Sequence, residues 1–344
     1  MSSPDTTIGV LTTIASPTDC VRHLHSFCGD QLQELIVVGD RKGPESYALN
    51  HAKFLPLAAQ ATMGLSLSSL LPENHYSRKN LGFLHAVQRG ADAIYETDDD
   101  TMPTAPWTSR ASVQQVTVVE AEKWGNAFRF FTEKHIWPRG LPLDEIHNDT
   151  AKTLGTKSSD APIQQGMIDL SPDVDAVWRL VFGDEFYFDQ GKSIMMSPNT
   201  WCPFNSQNTW WRPEAFPLLY LPSYCEFRAT DIWRGFIAQR CVWELGCGIV
   251  FHGPDTVQHR NVHNLMTDFE GEISGYLRNQ EITDCLSKLT LLKGKENVSR
   301  NLKTCYEALV GLGVFPEKEL DLVSSWRADL ENCLQSQQTV KRAA

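Results

Sequence analysis

The sequence predicts an α/β protein built on a mostly parallel, doubly wound sheet with flanking helices and a helical C-terminal extension. Three observations carry that expectation. Over the first hundred or so residues, short β-rich apolar runs alternate with stretches of helical period, the pattern of strand–helix–strand units. Two of those runs end on acids, Asp40 and the triplet Asp98, Asp99 and Asp100, and open α/β sheets bind ligands beyond the carboxyl ends of their strands. Residues 269–344 are polar and helical in period.

Taken in order, "TTIGVLTTI" (6–14) reads as a buried strand and "PTDCVRHLHSFCGD" (17–30) as a helix stopped near Gly29. "LQELIVVGD" (32–40) is a second buried strand. "SRKNLGFLHAVQRGAD" (77–92) is a helix, with Leu81, Leu84, His85 and Gln88 at i, i+3, i+4 and i+7 and a stop at Gly90. It feeds the strand "AIYET" (93–97), whose exit is the acidic triplet. Residues 103–200 are rich in proline and tryptophan and weakly periodic, as expected of a segment that shapes a substrate site. "NTWWRPEAF" brings a further strand, "TDIWRGFIAQRCVWELG" (230–246) a helix with Thr230 or Asp231 as N-cap, and "CGIVFHG" (247–253) another strand. The chain divides into 1–110 and 111–268, two halves of one domain, and the extension 269–344.

With 344 residues, 42% of them hydrophobic and 21% charged, the chain is able to bury a full-sized core. A net charge of −11 argues against a general nucleic-acid binder, whose footprint is a basic patch. The nine cysteines are scattered without a CxxC pair, the usage of reduced thiols rather than of a disulfide frame or zinc site. The start lacks a basic region followed by an apolar run, and no stretch reaches the ~18 apolar residues of a membrane span. A cytoplasmic protein without an integral membrane segment is expected. No GxSxG elbow, known Cys-His motif or Walker loop occurs.

The triplet in "IYETDDDTMP" (94–103) is the sharpest chemical feature. Adjacent like charges cost stability unless a cation or a turn compensates them. Mg2+ and Mn2+ take one or two carboxylates plus substrate phosphates, and carboxylates at i and i+2 on an extended exit can share one ion. A solvated turn is the plain alternative.

The stretch "RKNLGFLHAVQRGADAIYETDDD" resembles nucleotide-sugar glycosyltransferases of the GT-A (Rossmann-like) fold. In these a helix with an Asn-x-Gly pattern and a terminal glycine leads into a strand ending in a metal-binding Asp-x-Asp. Asn80, Gly82, Ala86 and Gly90 fall on that pattern. With "VVGDRKGP", "IWPRGLPL", "IQQGMIDLSPDVDAVWRL", "CPFNSQNTWWRPEAFPLLYLP" and "TDIWRGFIAQRCVWELG", the chain resembles, over roughly residues 6–275, the glycosyltransferase-like family of the plant STELLO proteins. That family is similar in turn to the UDP-arabinopyranose mutases. The last 70 or so residues add nothing to the resemblance. Gly43 stands where Thr or Ser is expected, and the N-terminal membrane anchor of the plant members is not seen, so their Golgi location does not carry over.

The resemblance implies that Asp98 and Asp100 contact Mn2+ or Mg2+, with His263 from "RNVHN" as a further ligand and Asp99 near the ribose or sugar. It puts Asp40 near the base or ribose, a turn residue being the alternative. Arg78, Lys79 and Asn80 are assigned to the donor; Arg78 and Lys79 equally suit a solvated helix start. Arg139 in "WPRGLPL" matches a stretch that carries the glycosylated arginine of the mutases. It binds the sugar diphosphate, accepts a glycosyl group, or pairs with Asp144 or Glu145; binding is favoured. Asp231 takes the place of the catalytic base, a helix N-cap being the alternative. Arg234 and Arg240 serve the leaving diphosphate or ion pairs, and Arg234 lies near enough in sequence to lower the pKa of Asp231. His259, four residues before His263, and His252 are weaker metal candidates. Trp201, Trp210, Trp211, Trp233 and Trp243 are core before they are sugar platforms.

On this resemblance 1–110 is the nucleotide-sugar half and 111–268 the acceptor half. The implied function is metal-dependent transfer of a sugar from a nucleotide diphosphate sugar, with UDP the expected carrier, to a carbohydrate or other hydroxyl acceptor. A mutase interconverting ring forms is the runner-up, and a non-catalytic GT-A scaffold the third reading.

Overall fold

The computed structural model describes residues 6–50, 52–148, 150–183, 185–260 and 264–343. The first half runs β1 (Thr7–Thr12), α1 (Asp19–His25), β2 (Glu34–Val38), β3 (Ala52–Leu55), α2 (Leu57–Ala61), α3 (Ser66–Leu70), α4 (Lys79–Gln88) and β4 (Ala93–Glu96), with the expected strands and helices in order and β3, α2 and α3 added between β2 and α4. These four strands pair as β3-β2-β1-β4, all parallel. Helix α4 lies directly against them because residue 82 is glycine. A Cβ there would sit 2.7 Å from a Val10 methyl and 2.6 Å from a Val38 methyl, far inside van der Waals contact. Gly90, at φ +89°, ends the helix in a conformation that costs glycine nothing.

The second half contains β5 (Thr101–Pro103), β6 (Gln114–Glu120), β7 (Lys152–Ser159), β8 (Ile163–Asp169), α5 (Ala176–Phe182), β9 (Ile194–Met196), β10 (Thr209–Trp211), α6 (Thr230–Trp243) and β11 (Ile249–Gln258). β10 enters antiparallel between β4 and β8, and the sheet continues through β11, β9, β6 and β7. The sheet is therefore parallel in its first half and mixed in its second. The weakly periodic segment after residue 100 supplies five of these strands. Their alternation is hidden for a physical reason. β7 is a solvent-exposed edge over nearly its whole length, whereas β8 is buried on both faces, and neither situation produces a period of two.

Helix α6 is buried from Thr230 to Val242 and passes through the core. The C-terminal helices α7 (Leu265–Ser287), α8 (Val298–Gly311) and α9 (Glu319–Ala343) complete the molecule. α8 packs on α6, and α9 packs on α3 and α4, so the extension braces both halves of the sheet. The Asp329 carboxylate accepts from the Ser66 and Leu67 amides at 3.1 and 2.8 Å, and Glu319 accepts from the amides of Ser223 and Tyr224. No described helix is long and apolar enough to cross a membrane.

Candidate functional site

A cavity of about 380 Å3 opens beyond the carboxyl ends of β1, β2 and β4, where an open α/β sheet is expected to hold its ligand. One end is lined by Thr13, Asp40 and the acidic triplet; the other by Arg139, Asp173, Phe227, Arg228, Asp231 and Arg260.

At the acidic end, β4 runs straight out of the core into the triplet. Asp98 Oδ1 accepts from the Tyr76 hydroxyl at 2.7 Å and the Lys79 ammonium at 3.0 Å. The described residues send no hydrogen bond to its Oδ2. Asp99 accepts from the Thr13 hydroxyl, and Asp100 Oδ2 from the Gln258 amide at 3.0 Å. Burial raises the pKa of the Asp100 carboxyl to about 7, reinforced by the charge of Asp98 beside it. Burial also raises that of Asp99, against the Thr13 hydrogen bond. These carboxyls are crowded and short of positive charge, the condition a bound cation relieves. Among the described residues no group of three or more His, Cys, Asp or Glu side chains is arranged to hold a metal ion. The triplet nevertheless fits Mg2+ or Mn2+, which complete a pair of carboxylates with phosphates and water.

At the opposite end Arg139 lies between two carboxylates. Its Nε and Nη2 donate to Asp173 at 2.8 Å each, and Nη1 and Nη2 donate to Asp231 at 3.2 and 2.9 Å. Nη1 also donates to the Arg228 carbonyl. All five N–H donors of the guanidinium are thereby used. Burial pushes the Asp173 carboxyl up, but Arg139 overrides it and brings it down to about 2. Asp231 Oδ1 takes a second hydrogen bond from the Ile232 amide at 3.1 Å, so the open acceptor position on this carboxylate is on Oδ2.

Of the residues expected at the site, Asp40, Asp98, Asp99, Asp100, Arg139 and Asp231 line the cavity. Asp40 is engaged with three backbone amides, those of Arg41, Asn74 and His75, and so organises the loop below the cavity. The others are placed elsewhere. Arg78 is buried against Gln60 and the Leu71 carbonyl, not a solvated helix start. Lys79 is sealed in the core, 3.8 Å from Glu96, and reaches the site only through Asp98. Asn80 exchanges two hydrogen bonds with the backbone of Leu221, at 2.9 and 2.8 Å. Arg234 pairs with buried Glu96 at 3.1 Å and stacks on Trp211. Arg240 binds Glu244 and the carbonyls of Leu286 and Leu289. Neither arginine lines the cavity, although Asp231 of the same helix does.

The expected partners of two site residues also change. Arg139 pairs with Asp173 and Asp231 rather than Asp144 or Glu145, and Arg139 rather than Arg234 contacts Asp231. Asp231 is not the N-cap of α6; Ala229 occupies that position. His263 lies outside the described residues. Residues up to Gln258 are strand, so His259 follows a strand end rather than sitting in a helix. His252 is a core histidine bonded to Ser193 and Gln164. Trp201, Trp210, Trp211 and Trp233 are buried core, with Trp243 packed against it. Sequence reasoning missed Tyr76, Thr13, Asp173, Gln207, Phe227, Arg228, Gln258 and Arg260. Asp173 and Gln207 lie inside quoted motifs, but nothing in their own spacing marks them.

Fold and site together define an α/β protein with a carboxylate-lined cavity at the strand ends. The comparisons with known proteins add the family it is similar to. The family model described as STELLO glycosyltransferases matches residues 228–340. The match reaches through α8 into α9, so the resemblance includes the C-terminal helices that were expected to lie outside it. "Probable glycosyltransferase STELLO1" of Arabidopsis thaliana is 29% identical over 263 residues, covering 69% of this chain and 33% of that protein. "Probable glycosyltransferase STELLO2" of the same plant is 27% identical over 349 residues, covering 93% and 44% respectively. The chain thus spans between a third and a half of the length of these relatives. Among solved structures, a mycobacterial protein aligns with a TM-score of 0.37 at 10% identity, covering 80% of this chain and 74% of that one. The M. tuberculosis glucosyl-3-phosphoglycerate synthase aligns at 0.36 and 12%, covering 80% of each.

Proposed function

We propose that this chain is a glycosyltransferase domain that transfers a sugar from a nucleotide diphosphate sugar, with UDP as the carrier, to a hydroxyl acceptor. The observation that carries the reading is the acidic triplet: three carboxylates at a strand end, turned to a cavity and short of positive charge. Similarity to relatives described as probable glycosyltransferases supports it.

Asp98 and Asp100 would hold Mn2+ or Mg2+, which supplies Lewis-acid neutralisation of the departing diphosphate. Everything else belongs to the chain itself. Tyr76 and Lys79 fix Asp98 through one oxygen and leave the other for the cation. Gln258 orients Asp100, and Thr13 ties Asp99 to the end of β1. Asp231 receives the proton of the acceptor hydroxyl on Oδ2 as that hydroxyl attacks the anomeric carbon. Arg139 holds Asp231 in position and has no N–H left to donate to a substrate. The mutase reading, with Arg139 as glycosyl acceptor, is disfavoured because every N–H of that guanidinium is already bonded.

Calorimetry of UDP binding with and without Mn2+, followed by transfer assays with a panel of labelled UDP-sugars, tests the proposal. UDP affinity that requires Mn2+ and disappears in Asp98→Asn/Asp100→Asn supports it. No UDP affinity under any metal condition rejects it, and ring isomers formed without acceptor would restore the mutase.

A further inference from the structure

The two ends of the cavity differ in how their charges are balanced, and that difference bears on the acceptor. At the acidic end the carboxylates outnumber the cations. At the other end each described guanidinium already holds a carboxylate: Arg139 holds Asp173 and Asp231, Arg228 holds Glu272, and Arg260 holds Asp268 at 2.9 Å. An anionic acceptor would have to break one of these pairs or lie against Asp173 and Asp231.

Three features of this region ask for a different ligand. Phe227 is 62% exposed although apolar, lines the cavity, and precedes Asp231 by four residues. Tyr76 packs against it edge-on, with ring centroids 5.7 Å apart, and braces the ring. The Oε1 of Gln207, a residue only 8% exposed, is buried without a hydrogen-bond partner. The buried Nε of Arg260 likewise has none. An amide oxygen needs a donor and a guanidinium nitrogen needs an acceptor. A phosphate or carboxylate satisfies the second and repels the first, whereas a hydroxyl satisfies both.

We infer that this end of the cavity is a subsite for a neutral carbohydrate ring, stacked on Phe227 and hydrogen-bonded by Gln207. An aromatic platform beside a few fixed polar groups is the composition that binds a ring with one apolar face and a polar edge. The inference rests on the transferase reading in identifying that ring as the acceptor, the sugar whose hydroxyl meets Asp231.

The test uses the whole chain and saturation-transfer NMR titrations with methyl α- and β-D-glucopyranoside, methyl α-D-mannopyranoside and glucuronate, without nucleotide. At least one neutral glycoside should bind, with Phe227→Ala weakening it about tenfold and Phe227→Tyr within about twofold of the parent. Gln207→Leu, which leaves the ring in place, should weaken it about fivefold. No glycoside binding, equal binding by Phe227→Ala, or tighter binding of glucuronate would each overturn the inference. UDP titrations on the same samples judge the donor reading separately, since the glycoside experiment contains no nucleotide.

Discussion

The two ends of the cavity solve the problem of buried carboxylates in opposite ways. At the arginine end, Asp173 and Asp231 share one guanidinium whose donors are all used, and the charges are matched within the protein. At the acidic end, Asp98 alone has an ammonium beside it, while Asp99 and Asp100 are held by a hydroxyl and an amide. Neutral hydrogen bonds orient a carboxylate without cancelling its charge. The first end is balanced in charge as folded, and the second carries negative charge that the described residues do not cancel.

The comparison breaks most visibly at Arg139. Arg139→Met leaves two buried carboxylates without their counter-charge and should cost about 3–5 kcal/mol, read as a lower urea midpoint; an unchanged midpoint would mean that the pairing contributes nothing. Next in size is a pH effect. The pKa of Asp173 is depressed to about 2 in the folded state, against about 3.9 unfolded. Its stabilisation is present above the unfolded value and is lost as pH falls from there through about 2, a change of about 2–3 kcal/mol. Asp173→Asn should flatten this part of the acid-unfolding curve.

The acidic end should respond differently. Asp98→Asn/Asp100→Asn should weaken Mn2+-dependent UDP binding by about 30-fold or more, equal to ~2 kcal/mol. Asp100→Asn alone, at a carboxyl with no ammonium beside it, should melt no lower than the parent in metal-free buffer, because it relieves repulsion from Asp98. A marked loss of stability there would make the triplet structural and erase the contrast between the ends. The smallest effect is expected for Tyr76→Phe, which removes one of two hydrogen bonds to Asp98 Oδ1 and should cost about 1 kcal/mol. Mn2+ affinity, followed by electron paramagnetic resonance, should fall modestly and keep its UDP dependence.

Much of the first half was legible in the residue order. The apolar runs around Val10, Val37 and Ile94 are buried strands, and the helix with Gly82 packs where its missing Cβ lets it approach. In the second half, the strands from β6 to β9 were not legible, because an exposed edge and a doubly buried strand both lack alternation. Arg234 and Arg240 were open to either a leaving diphosphate or an ion pair; α6 is buried, and the guanidinium groups pair with Glu96 and Glu244 inside the protein.

The sequence by itself determined the parallel strand–helix units of the first half and the placing of three carboxylates at a strand end. Both are local consequences, of side-chain period and of where an apolar run stops. Only the tertiary structure decided which charges meet. Arg139 is 34 residues from Asp173 and 92 from Asp231, and Tyr76 reaches Asp98 across 22. No local pattern encodes such pairings, because an ion pair depends on distance in space and not on spacing along the chain.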